Sequence, residues 1–130
     1  NETKLLNDGI AALENKIVTV RELCEKQVLL FYRDELEEFA HLGGYNTTTF
    51  RRLFRNLYGV PVYEWMLEKK REGILEDLQH SNMRITEICN RYGFDSLSHL
   101  AHFCKDSFGD TPRALRKKAA NGEKIGKITD

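Results

Sequence analysis

Three features of the sequence predict an all-helical fold. Only two prolines occur in 130 residues. Apolar side chains recur three and four positions apart through most of the chain, and no stretch sustains the period-two alternation, with turn pairs, that strands need. Apolar residues make up 41% and charged residues 31%, the balance of a soluble globular chain rather than a disordered or fibrous one. A chain of this length buries one core, or two small ones joined by a stiff element, but not a large cleft between big domains.

The elements follow in order. Leu6, Ile10, Leu13 and Ile17 form the stripe of a first helix, weakened by Gly9, since glycine costs ~1 kcal/mol inside a helix. Thr19 and Glu22 make a capping box for a second, carried by Val20, Leu23, Cys24, Gln27, Val28 and Phe31. The opening residues show neither an initiator Met nor the basic-then-apolar layout of a signal peptide. Residues 1–33 are therefore read as a connector from a missing upstream domain plus the first helix of the domain proper. From Asp34, the residues Leu36, Phe39 and Ala40 share a face before Gly43 and Gly44 break the chain. Asn46 or Thr47 caps a helix bearing Phe50, Leu53, Phe54 and Leu57. A short helix, a glycine turn and a second helix over 34–61 is a helix-turn-helix pattern.

Gly59 and Pro61 end that helix and open a longer one, Val62 to about Gln79, whose apolar side is Trp65, Met66, Ile74 and Leu78. It is read as a linker over 62–80, with Trp65 packing into a core rather than stacking on a base. Ile85, Ile88, Cys89 and Tyr92 then define a short helix stopped by Gly93, and Asp95 or Ser96 caps another with Leu100, Phe103, Cys104 and Phe108. Gly109 and Pro112 punctuate before a last helix through Ala114 and Leu115. Residues 81–120 thus repeat the helix-turn-helix and add a terminal helix, while 121–130 read as a frayed tail without fold information. The repeat shows in the letters too. Phe50 to Pro61 and Leu100 to Pro112 share their layout, each with an aromatic before a glycine, and the spacing to proline differs by one.

Charge and cysteines bound the function. Net charge is zero, awkward for a nucleic-acid binder, which neutralises phosphates with Lys and Arg. The charges are unevenly spread, however: residues 1–42 hold nine acids and five bases, whereas residues 43–118 hold nine acids and thirteen bases. Three cysteines, Cys24, Cys89 and Cys104, lack paired spacing, which points away from a disulfide framework and toward a reducing, cytoplasmic compartment. The longest apolar run, Val28 to Tyr32, is far below the roughly 20 residues of a membrane span. No phosphate loop, His-Glu-x-x-His helix or nucleophile elbow occurs, and the acids read as exposed helix edges, so no catalytic constellation is found. His99, His102 and Cys104 prompt a metal question, but Cys104 points away from the two histidines and no fourth ligand stands at a recognised spacing. No cofactor is expected. Cys89 reads as a small residue in a tight helix contact.

The second half, Ile85-Thr86-Glu87-Ile88-Cys89, Tyr92-Gly93-Phe94-Asp95-Ser96, Phe103, Lys105, Phe108-Gly109 and Thr111-Pro112, resembles the DNA-binding domain of AraC/XylS-type transcription regulators. Glu37-Glu38-Phe39-Ala40, the run Phe50 to Phe54, Tyr58-Gly59 and Trp65 extend the resemblance to the first half, about Asp34 to Lys118 in all. It implies a homeodomain-like, all-α fold of about seven helices, with two helix-turn-helix subdomains joined by a long linker helix. Both recognition helices would lie on one face and enter successive major grooves ~34 Å apart. It also implies an activator that binds double-stranded DNA and RNA polymerase, with an effector held by the upstream domain; two binding units in one chain permit a monomer, while the amphipathic start allows a homodimer in the full-length protein. Lys70, Arg71, Ile74 and Asp77 depart from the pattern's usual Arg, apolar residue, Ala and Leu.

On the first recognition helix the outward set is Thr47, Thr48, Thr49, Arg51, Arg52 and Arg55. Thr48, Arg51 and Arg52 suit base edges, because Arg binds guanine bidentately and Thr touches the thymine methyl; Arg55 suits phosphate. A merely solvated face is the plainer reading, and three arginines within five positions weigh against it. On the second helix the outward set, beside Leu97, is Ser98, His99, Ala101, His102 and Lys105, in which His99, His102 and Cys104 replace the pattern's Tyr, Arg and Phe. This half is expected to contact DNA more weakly, with a pH dependence through His102. Lys69, Lys70 and Arg71 are read as solvated, with contact to backbone phosphate as the alternative. The competing function is a helical protein-interaction module or antagonist, for which zero net charge, the weaker second half and the acidic stretch Asp34 to Glu38 would speak.

Overall fold

The computed structural model describes residues 20–22, 24 and 32–126. The expected stripe from Leu6 to Ile17, Thr19, Leu23, Gln27, Val28, Phe31 and the last four residues lie outside them. Among the described residues Val20 and Cys24 are helical, and six helices follow: α1 (Leu36–Leu42), α2 (Thr47–Tyr58), α3 (Val62–His80), α4 (Ile85–Arg91), α5 (Leu97–Phe108) and α6 (Pro112–Ala120). They group into two compact units, divided within α3 between Trp65 and Met66, with Tyr32 to Asp34 belonging to the second.

The first unit is built on aromatic packing. Val20, Cys24, Phe39, Ala40, Phe50, Phe54 and Val62 are buried, and each large side chain taken fully from water contributes about 1.5–3 kcal/mol. Phe50 meets Phe39 edge-on at 5.2 Å, Phe54 meets Trp65 edge-on at 5.4 Å, and Tyr58 stacks on Phe54 at 4.5 Å, geometries that aromatic quadrupoles favour. Trp65 therefore packs, as expected. Leu53 and Leu57, expected inward, are only half-buried, because Phe50 and Phe54 fill the space beneath α2.

The second unit closes over Ile74, Leu78, Ile88, Cys89, Tyr92, Leu100, Cys104, Phe108 and Leu115. Ile125 also packs against this core, so the chain beyond α6 carries fold information after all: an isoleucine can still cover apolar surface where no helix continues. Tyr92 packs close against α3, which is possible because Gly73 has no Cβ; one there would sit 2.6 Å from the Tyr92 hydroxyl oxygen. The Tyr92 hydroxyl donates to Asp77 at 2.5 Å, and burial together with this bond holds it un-ionised well above the ordinary tyrosine range. Asp77 is thus buried, contrary to the expectation that all the acids line exposed edges; Tyr92 and Arg91, 3.6 Å away, offset its desolvation. Arg116 of α6 donates to the carbonyls of Asp77, Leu78 and Met83, satisfying groups at the end of α3 that no helical partner reaches.

The solvated reading of Lys70 is also overturned. The residue is only 5% exposed, with its ammonium 3.0 Å from the Asp34 carboxylate and 5.1 Å from the centre of the Phe94 ring. Arg71 donates to Ser107 and pairs with Glu68, and Lys69 pairs with Glu72. Ile74, at zero exposure, fills the core. All four departures at Lys70, Arg71, Ile74 and Asp77 are therefore absorbed within the second unit.

Candidate nucleic-acid interface

Each unit holds one helix-turn-helix, and the two are built alike from local rules. After α1, the amides of Gly44 and Tyr45 donate to the carbonyls of His41 and Ala40; after α4, those of Gly93 and Phe94 donate to Asn90 and Cys89. Gly93 has φ +76°, and a side chain there would also press on the Arg33 backbone at 3.0 Å, so the turn demands glycine. Ala40 and Cys89 hold equivalent buried places at these turns. The second turn is one residue longer, since Asp95 stands between Phe94 and the cap.

α2 and α5 are both twelve residues long. Asn46 Oδ1 accepts from the Thr49 amide at 2.8 Å, and Ser96 Oγ accepts from the His99 amide at 3.1 Å; Gly59 and Gly109, both left-handed, end them. These are the caps that the sequence offers at each start. Every position of α2 thereby corresponds to the position fifty residues on in α5.

In the first unit Thr48, Arg51, Arg52 and Arg55 are exposed along α2, while Thr47 and Thr49 at its start are half-buried. Positions 48, 51, 52 and 55 recur at helical spacing and so share one side. In the second unit Ser98, His99, His102 and Lys105 are exposed, and Ala101 is half-buried between them. His99 Nδ1 stands 4.0 Å from Asp95, and both histidines border a cleft of about 390 Å3 with Lys70, Asp95 and Asp106. Cys104 points the other way, into the core, where burial pushes its thiol up to about 12. Among the described residues no three His, Cys, Asp or Glu side chains gather as metal ligands, and no helix is long and apolar enough to cross a membrane.

Three side chains passed over in the outward sets also border α5: Arg84, Thr86 and Arg113, all exposed, line a second cleft with the start of that helix. The signal for Arg84 and Arg113 was available in their places, one capping α4 and the other following the proline that opens α6.

Two capped helices of equal length, each set beyond a glycine turn and bearing an exposed polar side, define the class as a double helix-turn-helix DNA-binding domain. The chain belongs to the AraC-type helix-turn-helix family, whose helix-turn-helix domain matches residues 39–118. Its relatives include the HTH-type transcriptional regulator ExsA of Pseudomonas aeruginosa, 32% identical over 114 residues, which are 87% of this chain and 40% of ExsA. The HTH-type transcriptional activator AarP of Providencia stuartii is 29% identical over 84 residues, 65% of this chain and 62% of AarP. The multiple antibiotic resistance protein MarA of Escherichia coli is 28% identical over 88 residues, 68% of this chain and 69% of MarA. The chain spans well under half the length of ExsA. The family is one of transcription regulators, which are not enzymes.

Proposed function

We propose that the chain binds double-stranded DNA in a sequence-specific manner, with α2 and α5 as recognition helices in successive major grooves. The observation that carries this reading is the exposed row of Arg51, Arg52 and Arg55 on a capped helix otherwise anchored by Phe50 and Phe54. Arg51, Arg52 and Thr48 read base edges, and Arg55 holds phosphate. Thr47 and Thr49 steady the approach at the start of α2. In the second unit Ser98, His99, Ala101, His102 and Lys105 meet the other half-site, less strongly because one lysine stands where α2 has three arginines.

The subdomain plan follows from the same reading, with helix-turn-helix segments at 34–61 and 81–120, a linker over 62–80, and 1–33 leading in from an upstream domain. In the full-length protein that upstream domain holds an effector and supports a homodimer. The regulator then activates transcription in the cytoplasm by contacting RNA polymerase.

A salt titration of binding to a random duplex pool, followed by selection and sequencing, tests this. A log–log slope of several released counterions at about 0.9 each, with an enriched motif of two half-sites about a turn apart, is the expected result. No retention at low salt would overturn it in favour of a protein-interaction module.

A further inference from the structure

A second cleft lies beside α5, within the second unit. It opens where α4, α5 and α6 begin, holds about 520 Å3, and is walled by Ile85, Leu97, Ala101 and Pro112, with Arg84 and Arg113 at its rim. Leu97 is 48% exposed, one of four large apolar side chains left in water among the described residues. Leu97 and Ala101 are four residues apart, so they form a continuous apolar edge along the outward side of α5. The two guanidiniums are uncommitted: neither forms an ion pair among the described residues, whereas Arg71 and Arg91 do. At the equivalent places of the first unit stand Thr47 and Arg51 in α2, Glu35 in place of Arg84, and Tyr63 in place of Arg113.

An apolar edge framed by two free cations has a specific complement in duplex DNA. The major groove offers one apolar group, the C5 methyl of thymine, and phosphates run along both of its margins. Guanidinium groups bind phosphate oxygens with a matched fork of donors. We infer that α5 selects thymine through Leu97 and Ala101, while Arg84 and Arg113 hold the flanking phosphates. The inference rests on the DNA-binding reading above and deepens it: the first unit reads through Thr48 and the arginines of its helix, and the second through the apolar edge of Leu97 and Ala101, with two of its cations placed on the neighbouring helices.

The test uses a duplex enriched from the random pool by the whole chain, resynthesised with deoxyuridine replacing one thymine at a time. Uracil pairs as thymine does and lacks only the methyl. Wild type is expected to lose about four-fold in affinity at one or two positions of one half-site, the worth of one buried methyl-sized group. The same replacements should cost Leu97→Ser less than two-fold; being an exposed position, it keeps the fold, which circular dichroism checks. Arg113→Gln should weaken all these duplexes alike and lower the salt slope by about 0.9. Equal binding of every uracil duplex by wild type overturns the inference while leaving the DNA-binding reading intact, as does a Leu97→Ser protein that keeps every uracil penalty of wild type, since those from Thr48 alone would then account for all of them. Failure of wild type to retain any duplex at low salt overturns both.

Discussion

Replacing Gly73 with alanine should destabilise the second unit, although the same change in an exposed helix would stabilise it by ~1 kcal/mol. The added Cβ would lie 2.6 Å from the Tyr92 hydroxyl oxygen, 2.7 Å from Cε1 and 3.0 Å from Cζ. The ring cannot swing aside freely. Its hydroxyl is bound to Asp77, Tyr32 lies at 4.7 Å on one face, and the residue is 1% exposed. Overpacking of this kind costs about 1–3 kcal/mol, and dislodging a hydrogen bond to a buried carboxylate about 1.5–3 kcal/mol. Set against the helix-propensity gain, the net loss is about 3 kcal/mol. Urea unfolding followed by circular dichroism measures it as a lower midpoint. In a Tyr92→Phe background the penalty should shrink without vanishing, since the oxygen goes and the ring carbons stay. A Gly73→Ala protein as stable as wild type would refute the claim that Tyr92 requires a bare backbone there.

Other outcomes follow from single residues. Asp34 adopts φ +59° while holding buried Lys70, so Asp34→Ala should cost about 1–2 kcal/mol, and Asp34→Gly about 1 kcal/mol less than that because glycine accepts the left-handed backbone; equal midpoints in thermal unfolding would contradict the strain. The Thr111 amide and Lys118 hold the Asp110 carboxyl below its ordinary value of 3.8. That contribution to stability is fully present above 3.8 and fades as pH falls through the lower folded-state value. The difference in Tm between wild type and Asp110→Asn should therefore close in that acid range, and a difference that persists unchanged throughout it would exclude the contribution. In DNA binding, Arg51→Ala should cost about 1–3 kcal/mol at its preferred sites and relax one base position, whereas Arg55→Ala should weaken all sites alike. Competition assays with single-base variants separate the two, and identical profiles would show that the assigned roles are wrong.

Local rules make the helices legible. The caps are readable to within one residue, as Asn46 or Thr47 and Asp95 or Ser96, Gly59 and Gly109 are readable as ends, and Phe50, Phe54, Leu100 and Cys104 as inward, because each depends only on neighbours within a turn or two. What escapes reading depends on contacts across tens of residues. Lys70 looks like one of three solvated cations until Asp34, thirty-six residues earlier, is found beside it. Asp77 looks like an exposed acid because its partner Tyr92 counts by spacing only as core. Gly73 draws no notice, since a glycine inside a helix gives no hint of the ring that presses on it. At the candidate interface the sequence singles out the exposed arginines of α2 by their period. It passes over Arg84 and Arg113 because they belong to other helices than the one they flank.

The clamp formed by Arg116 bears on the order in which a ribosome delivers this chain. The first unit ends at Trp65, whereas the second cannot close fully until Arg116 has emerged, fifty-one residues later, to reach carbonyls as much as thirty-nine residues behind it. At synthesis rates of about 5–20 residues per second the interval is roughly 3–10 s. During that wait Ile74, Leu78 and Tyr92 have been made, but Leu115, which helps cover them, has not. The apolar side of α3 in the second unit is thus open to water for longest while the chain is being made.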